Sequence, residues 1–428
     1  MHKVLHPPKA LYKATAHFML VFALVCFGSV NALAVEQEHK KITQQLIKLL
    51  EDKPEVKEMF KASLKKASII NPDRVTNPVQ TLTEYYDFID STSELLPQEM
   101  LANPTSLIRE QMLQSICYFY FLIDQPLPQL KGKGLFKNTI QYHKPFANWT
   151  RNFADSWGDY LDTEASWTQK TYRQFYSDSS FGLQNSWYEE PSNWKTFNEF
   201  FSRQLISPSV RPIASQTVSS IVVSPADSVP QGVWPIDSKS KIKVKDGLKV
   251  KLARFYNVEE LLDHDSKYKK AFANGMLTHT FLNVNDYHRY HFAVGGIVKE
   301  IKKTQQNASL GVTWDPKTKK YDFIVSTGWQ FTQTRGYVII ETKEYGLVAL
   351  IPMGMAQVSS VNFEESVKIG SHYNKGDMLG TFLFGGSDFV MLFQEKAGFE
   401  ISAPKSTESD SDYDHLLMGE VYGIMKGQ

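Results

Sequence analysis

The chain is short of cysteine, of net charge and of long apolar runs, and each shortage closes off a class of protein. Only Cys26 and Cys117 occur in 428 residues, too few for a disulfide-stapled scaffold. Lys and Arg number 47 against 46 Asp and Glu, a formal net charge of +1, so there is no electrostatic footprint for nucleic acid. No internal repeat or low-complexity tract is visible. Beyond residue 34 no stretch reads as transmembrane. With 42% apolar and 22% charged residues, the composition is that of a soluble globular chain with length for two or more domains.

The N-terminus reads as a leader. Lys3, Lys9 and Lys13 precede an apolar run from Phe18 to Val30, and Ala32-Leu33-Ala34 supplies small residues for a peptidase. A signal peptide over residues 1–34 is expected, with the protein exported to a periplasm, secreted, or peripheral on a membrane. An uncleaved anchor is the alternative. Val25 is too bulky for Cys26 to be a lipoprotein cysteine. Cleavage after Ala34 leaves Cys117 alone, so a core and not a disulfide must hold the mature chain.

The rest divides in two. Residues 35–192 are expected to form a helical N-terminal domain. A charged helix from Gln37 to about Lys66 carries Ile42, Leu46, Leu49 and Leu50 on one face, and Asn71-Pro72-Asp73 breaks it. Leu107 to Leu122 reads as a buried helix. Trp149, Phe153, Trp157, Tyr160 and Leu161 recur at helical spacing, a stripe that could face a ring or lipid but reads first as core. Thr196 and Glu199 form a capping-box pattern opening a short helix.

Residues 193–428 are mostly β, in the manner of a sandwich or partly closed barrel. Strands are predicted over Ser219–Val223, Thr278–Val284, Gly296–Ile301, Gly336–Glu341, Leu347–Ile351 and Gln357–Asn362. The fold class is therefore α+β. The stretch from Val367 to Gly380 resembles half of a biotinyl or lipoyl carrier module, with Lys375 as the modified lysine. Its neighbours do not match such a hairpin tip.

Four segments carry chemistry: Ser224-Pro225-Ala226-Asp227, Asp286-Tyr287-His288-Arg289-Tyr290-His291, Gly354-Met355, and Gly385-Gly386-Ser387-Asp388. Alone, Gly-Gly-Ser reads as a turn. His288 and His291, three apart on a strand, point to opposite faces and suit two separate tasks better than one metal ion, so no metal site is expected. Asp227, His291 and Ser387 have the residue types of an acid–imidazole–hydroxyl relay.

Together these segments, with Phe197-x-x-Phe200-Phe201-x-Arg203-x-Leu205 and Arg211-Pro212, resemble the phosphatidylserine decarboxylase family from about Trp194 to the C-terminus. That resemblance implies a proenzyme which cuts itself between Gly386 and Ser387, Ser387 becoming a covalent pyruvoyl cofactor on a small chain. It implies that Asp227 and His291 activate Ser387, and that His288 serves the later decarboxylation through a Schiff base. The expected reaction is phosphatidylserine to phosphatidylethanolamine. The expected partners are this substrate and the chain's own cleaved piece, with peripheral membrane contact and a homodimer left open.

The sequence departs from the family at three places. Ser228 stands where the family has glycine. Asp388 stands where Thr or Ser is usual, which is expected to put a carboxylate beside the reactive ketone, slowing processing or disfavouring an anionic substrate. The usual Asn-Glu-Arg motif after a phenylalanine is reduced here to Phe331-Thr332-Gln333-Thr334-Arg335. Leu113 to Trp187, Phe281-Leu282-Asn283-Val284 and Gly354-Met355 resemble the fungal tryptophan decarboxylase branch. A free amino acid, aromatic ones such as tryptophan included, is therefore the alternative substrate. An inactive secreted binding or effector relative, and a serine hydrolase using the same triad, are the remaining alternatives.

Overall fold

The computed structural model describes residues 38–101, 107–131, 138–242, 257–324, 332–355, 360–384, 386–407 and 411–427. The leader over residues 1–34, Phe331 and Gly385 lie outside the described residues, as does the first half, 357–359, of the strand predicted over 357–362.

The predicted first helix is two. α1 (Lys41–Asp52) stops where Pro54 opens α2 (Pro54–Ile70). Proline has no N–H to continue the ladder and forces Lys53 out of helical geometry. α3 (Leu82–Thr92) starts at a capping box in which Thr81 Oγ1 accepts from Glu84 N at 3.3 Å and Glu84 accepts from Thr81 N at 2.9 Å. α4 (Ile108–Ile123) is buried over 12 of its 16 residues, its second half from Ile116 to Ile123 being apolar nearly all round and enclosed in the core of the helical region. The aromatic stripe lies on α5 (Lys144–Leu161) and is core: Phe153 stacks on Phe119 at 5.1 Å, with Trp149 and Trp157 on either side. α6 (Gln169–Ser177) follows. α7 (Phe197–Phe201) begins at the expected capping box.

The β region is built on a seven-stranded, wholly antiparallel sheet. Its order is β11 (His372–Tyr373), β5 (Gly296–Thr304), β8 (Thr334–Glu341), β9 (Leu347–Met355), β13 (Gly386–Phe393), β3 (Met276–Leu282) and β2 (Val229–Pro235). A three-stranded sheet of β1 (Ile221–Val223), β15 (Val421–Met425) and β14 (Phe399–Ile401) shares a core with one face. The short α8 (Val258–Leu262) packs into the core of the other. A further three-stranded sheet joins β10 (Asn362–Phe363), β12 (Met378–Thr381) and β4 (Arg289–His291). The class is α+β, helical first and β-rich after.

The boundary expected near 190–196 does not divide the core. A hairpin of β6 (Val312–Asp315) and β7 (Lys320–Phe323), from the β half of the sequence, packs into the helices. Gln114 and Tyr321 exchange two hydrogen bonds of 2.8 Å, and Asp124 accepts from Val312 N at 2.9 Å. Residues 39–428 form one compact unit. Cys117 is a buried free thiol, its ionisation suppressed by burial.

Candidate active site

Ser387 sits on a central strand rather than in a turn. Asp388 to Phe393 is an apolar run after its first residue, and it is buried on both faces. This ladder locks Ser387 between Gly354 of β9 and Leu282 of β3. The side chain is 1% exposed, and its Oγ has no hydrogen-bond partner among the described residues. A buried hydroxyl left unpartnered is costly, and such atoms mark sites kept for a reaction or a ligand.

The segment before Gly386 is tied to the histidine motif. β12 pairs with β4, Thr381 opposite Arg289 and Met378 opposite His291. Phe382 N then donates to His288 O at 2.9 Å. Phe384 N donates to Asn198 Oδ1 at 3.1 Å, and the Phe384 ring meets Trp157, Phe197 and Phe201 at 5.3, 5.5 and 5.2 Å. Trp157 belongs to α5, so the helical region reaches the residue two before Gly386.

The backbone brings Asp227 and His291 into one neighbourhood, His291 N donating to Pro225 O at 2.8 Å. Their side chains take other partners. Arg211 holds the Asp227 carboxylate with two bonds, Nε to Oδ1 at 3.0 Å and Nη2 to Oδ2 at 2.7 Å, and Met418 N donates to Oδ1 at 2.8 Å. His291 Nδ1 donates to Gly376 O at 2.9 Å, and its Nε2 accepts from the Tyr287 hydroxyl at 3.2 Å. A continuous Asp227–His291–Ser387 hydrogen-bonded relay is therefore not present in this resting geometry. Burial lowers the His291 pKa to about 4, partly opposed by the Gly376 carbonyl and the field of Asp227.

His288 is fully buried. Its Nδ1 donates to Asp286 O at 2.9 Å, its ring stacks on Phe201 at 3.8 Å, and its Nε2 is unpartnered among the described residues. Burial and then the charge of Arg203 push its pKa well below the usual histidine range. The two histidines thus have separate surroundings.

Asp388 does not sit beside the Ser387 hydroxyl. Neighbouring residues on a strand face opposite sides of the sheet. Ser387 shares its face with Phe389, and Asp388 shares the other with Val390. There Asp388 Oδ1 meets His279 Nε2 from β3, while burial raises the pKa of the carboxyl against the pull of His279. Ser228 is also accounted for: its buried hydroxyl accepts from Thr280 Oγ1 at 2.7 Å and donates to Ala226 O at 3.2 Å. Arg335 is spent on α8, donating to Leu261 O at 2.7 Å and Glu260 O at 2.6 Å. Lys375 is 5% exposed and donates to the carbonyls of Ser215, Val218 and Ile221 at 2.8, 3.0 and 3.1 Å, which excludes a protruding carrier lysine.

Sequence reasoning missed Arg211 as the Asp227 partner, Tyr287 as the His291 partner, and the Trp157–Asn198 grip on Phe384. Arg211 and Tyr287 lie inside quoted motifs. Trp157 gave no signal beyond its place in a core-like stripe.

The phosphatidylserine decarboxylase family model matches residues 197–423. The chain is 33% identical over 208 residues to a phosphatidylserine decarboxylase proenzyme 2 of Oryza sativa, covering 48% of this chain but only 30% of that protein. It is 28% identical over 309 residues to a phosphatidylserine decarboxylase proenzyme of Fusobacterium nucleatum, covering 70% of this chain and 93% of the relative. Decarboxylase iboD of Amanita muscaria is 28% identical over 286 residues, covering 60% of this chain and 79% of the relative. More than half of the chain is matched by the family model, and the chain belongs to the phosphatidylserine decarboxylase family of carboxy-lyases.

Proposed function

We propose that this protein is a proenzyme that cuts itself between Gly386 and Ser387 and then removes the carboxylate of an amino-acid moiety, with phosphatidylserine as substrate and phosphatidylethanolamine as product. The observation that carries this reading is Ser387 itself: a buried hydroxyl without a partner among the described residues, locked in a central strand directly after a glycine pair. The Ser387 Oγ adds to the Gly386 carbonyl as His291 takes the hydroxyl proton; the peptide C–N bond opens to an ester and that proton passes to the freed amine. Elimination then releases the Gly386 carboxylate and leaves dehydroalanine, which water hydrolyses to the pyruvoyl ketone and ammonia. To take the hydroxyl proton, His291 Nε2 has to exchange the Tyr287 hydroxyl for that of Ser387. Asp227, held by Arg211, supplies a fixed negative field that favours the protonated imidazole.

The residues fit a pyruvoyl group formed from Ser387. Two buried polar atoms, Ser387 Oγ and His288 Nε2, have no partner among the described residues. A pyruvoyl ketone takes the substrate amine and accepts the electrons released as carbon dioxide leaves. His288 Nε2, unprotonated at rest, takes up the proton that the substrate ammonium has to lose, and then binds the carboxylate or hands that proton to the carbon that has lost it.

Intact mass tests the first step. Two chains, divided after Gly386, are expected from the wild type and one from Ser387→Ala. A wild type that stays whole would overturn the proposal. Carbon dioxide release from phosphatidylserine tests the second.

A free amino acid, aromatic ones included, is the second reading. It rests on the resemblance of Leu113 to Trp187 to the fungal tryptophan decarboxylase branch, and a relative matched over 60% of the chain is named a decarboxylase without phosphatidylserine in its name. Release from tryptophan but not from phosphatidylserine would select it. Export is proposed from the leader alone, and a mature N-terminus at Val35 is the expected observation.

A further inference from the structure

Arg203 is a guanidinium with 0% exposure, and no carboxylate among the described residues lies within ion-pair range of it. Its plane lies over Tyr188 at 4.4 Å and near Phe200 at 5.3 Å. Its Nη2 donates to Asn285 O at 2.8 Å and Asp286 O at 3.0 Å, while Nε and Nη1 have no hydrogen-bond partner among the described residues. Aromatic faces answer part of the charge. The rest is uncancelled, and it lies beside His288.

The Asp286 carbonyl is the link. It accepts from Arg203 at 3.0 Å and from His288 Nδ1 at 2.9 Å. A carbonyl oxygen has two lone pairs and no proton, so both partners must donate to it. That places the imidazole proton on Nδ1 and the lone pair on Nε2, the nitrogen with no partner among the described residues. The Asp286 carboxylate does not face the ring. Its Oδ1 pairs with His415 Nε2 at 3.0 Å and its Oδ2 accepts from Asn283 N at 2.7 Å. Phe201 covers one ring face.

We infer that Arg203 is a positioning residue for His288, fixing its tautomer through the shared Asp286 carbonyl and keeping Nε2 unprotonated and open. The use of that nitrogen in decarboxylation rests on the reading above, but the arrangement of proton and lone pair does not. Arginine suits this place because a planar cation can lie against two aromatic rings while donating at its edge.

The test uses the uncut Ser387→Ala protein with 15N-labelled histidine, so it does not depend on any decarboxylase activity. The His288 signals are assigned by their loss in His288→Gln. The expected result is a single Nδ1–H tautomer that does not titrate from pH 8 to 5. Arg203→Met should mix the tautomers and raise the midpoint of titration by about one pH unit or more. Arg203→Gln, which can still donate but carries no charge, should keep the tautomer and lose the resistance to protonation. It also serves if Arg203→Met does not fold. Unchanged His288 signals in a folded Arg203→Met or Arg203→Gln protein would overturn the inference. Failure of the wild type to release carbon dioxide would instead sink the decarboxylase reading and leave this one standing.

Discussion

Arg211 and Asp227 form a bidentate ion pair whose side chains are 1% and 4% exposed, stacked beneath Trp187 at 4.6 Å. The carboxylate assigned to activate His291 is thus also one half of a buried pair. Removing one member of such a pair leaves an uncompensated charge, at a cost of about 3–5 kcal/mol. Asp227→Ala is therefore expected to lower stability by that order as well as to stop cleavage. Denaturant unfolding of Ser387→Ala with and without Asp227→Ala measures the first effect apart from the second. A loss below about 1 kcal/mol would show that the pair is not buried in solution.

Trp157 and Asn198 hold Phe384, two residues before the proposed cut. Trp157→Ala should slow the appearance of two chains by tenfold or more, in line with the roughly 10²-fold loss that a 1 Å misplacement can cause. The histidine strand itself should stay intact, since β4 and β12 pair independently of Trp157. A time course by intact mass checks this, and cleavage at the wild-type rate would refute it.

Asp388 should be dispensable for cleavage, because it faces away from the Ser387 hydroxyl and toward His279. Asp388→Ser is expected to cut as the wild type does. His279→Ala should instead destabilise the fold by about 1–3 kcal/mol, since it strips the buried carboxyl of its partner. Intact mass reads the first and thermal unfolding the second. Loss of cleavage in a folded Asp388→Ser protein would mean that the carboxyl acts on Ser387 after all.

Acid should weaken the uncut protein through His291. Its folded pKa, lowered to about 4 chiefly by burial, lies below that of the unfolded chain. The unfolded state then binds more protons between about pH 6.5 and 4, so stability is present above that window and lost as pH falls through it. The contribution is on the order of 3 kcal/mol. Unfolding midpoints of Ser387→Ala should fall across this window, and His291→Gln should flatten the fall. An equal slope with and without His291 would remove it as the cause.

Much was legible because short motifs are local. The capping box at Thr196, the aromatic core stripe of α5 and the motifs that carry Asp227, His288, His291 and Ser387 were all visible in residue type and order. The first helix was misread because periodicity continues across Lys53, whereas the single missing N–H of Pro54 breaks the ladder. Ser387 looked like a turn because two glycines precede it. The strand is revealed by the apolar run that follows, and its burial on both faces depends on partners far along the chain.

The sequence by itself determined the residue chemistry, the order of helices first and strands after, and the family. Tertiary structure alone decided which groups meet. Asp227 could have faced His291 or Arg211, and only the packing of distant segments gave it to Arg211. Asp388 is next to Ser387 in sequence, yet the pleat sends the two side chains to opposite faces. The tautomer of His288 depends on a carbonyl shared with Arg203, 85 positions away in sequence. Hydrogen-bond partners depend on geometry to within a few tenths of an ångström, and such distances are set by the folded core.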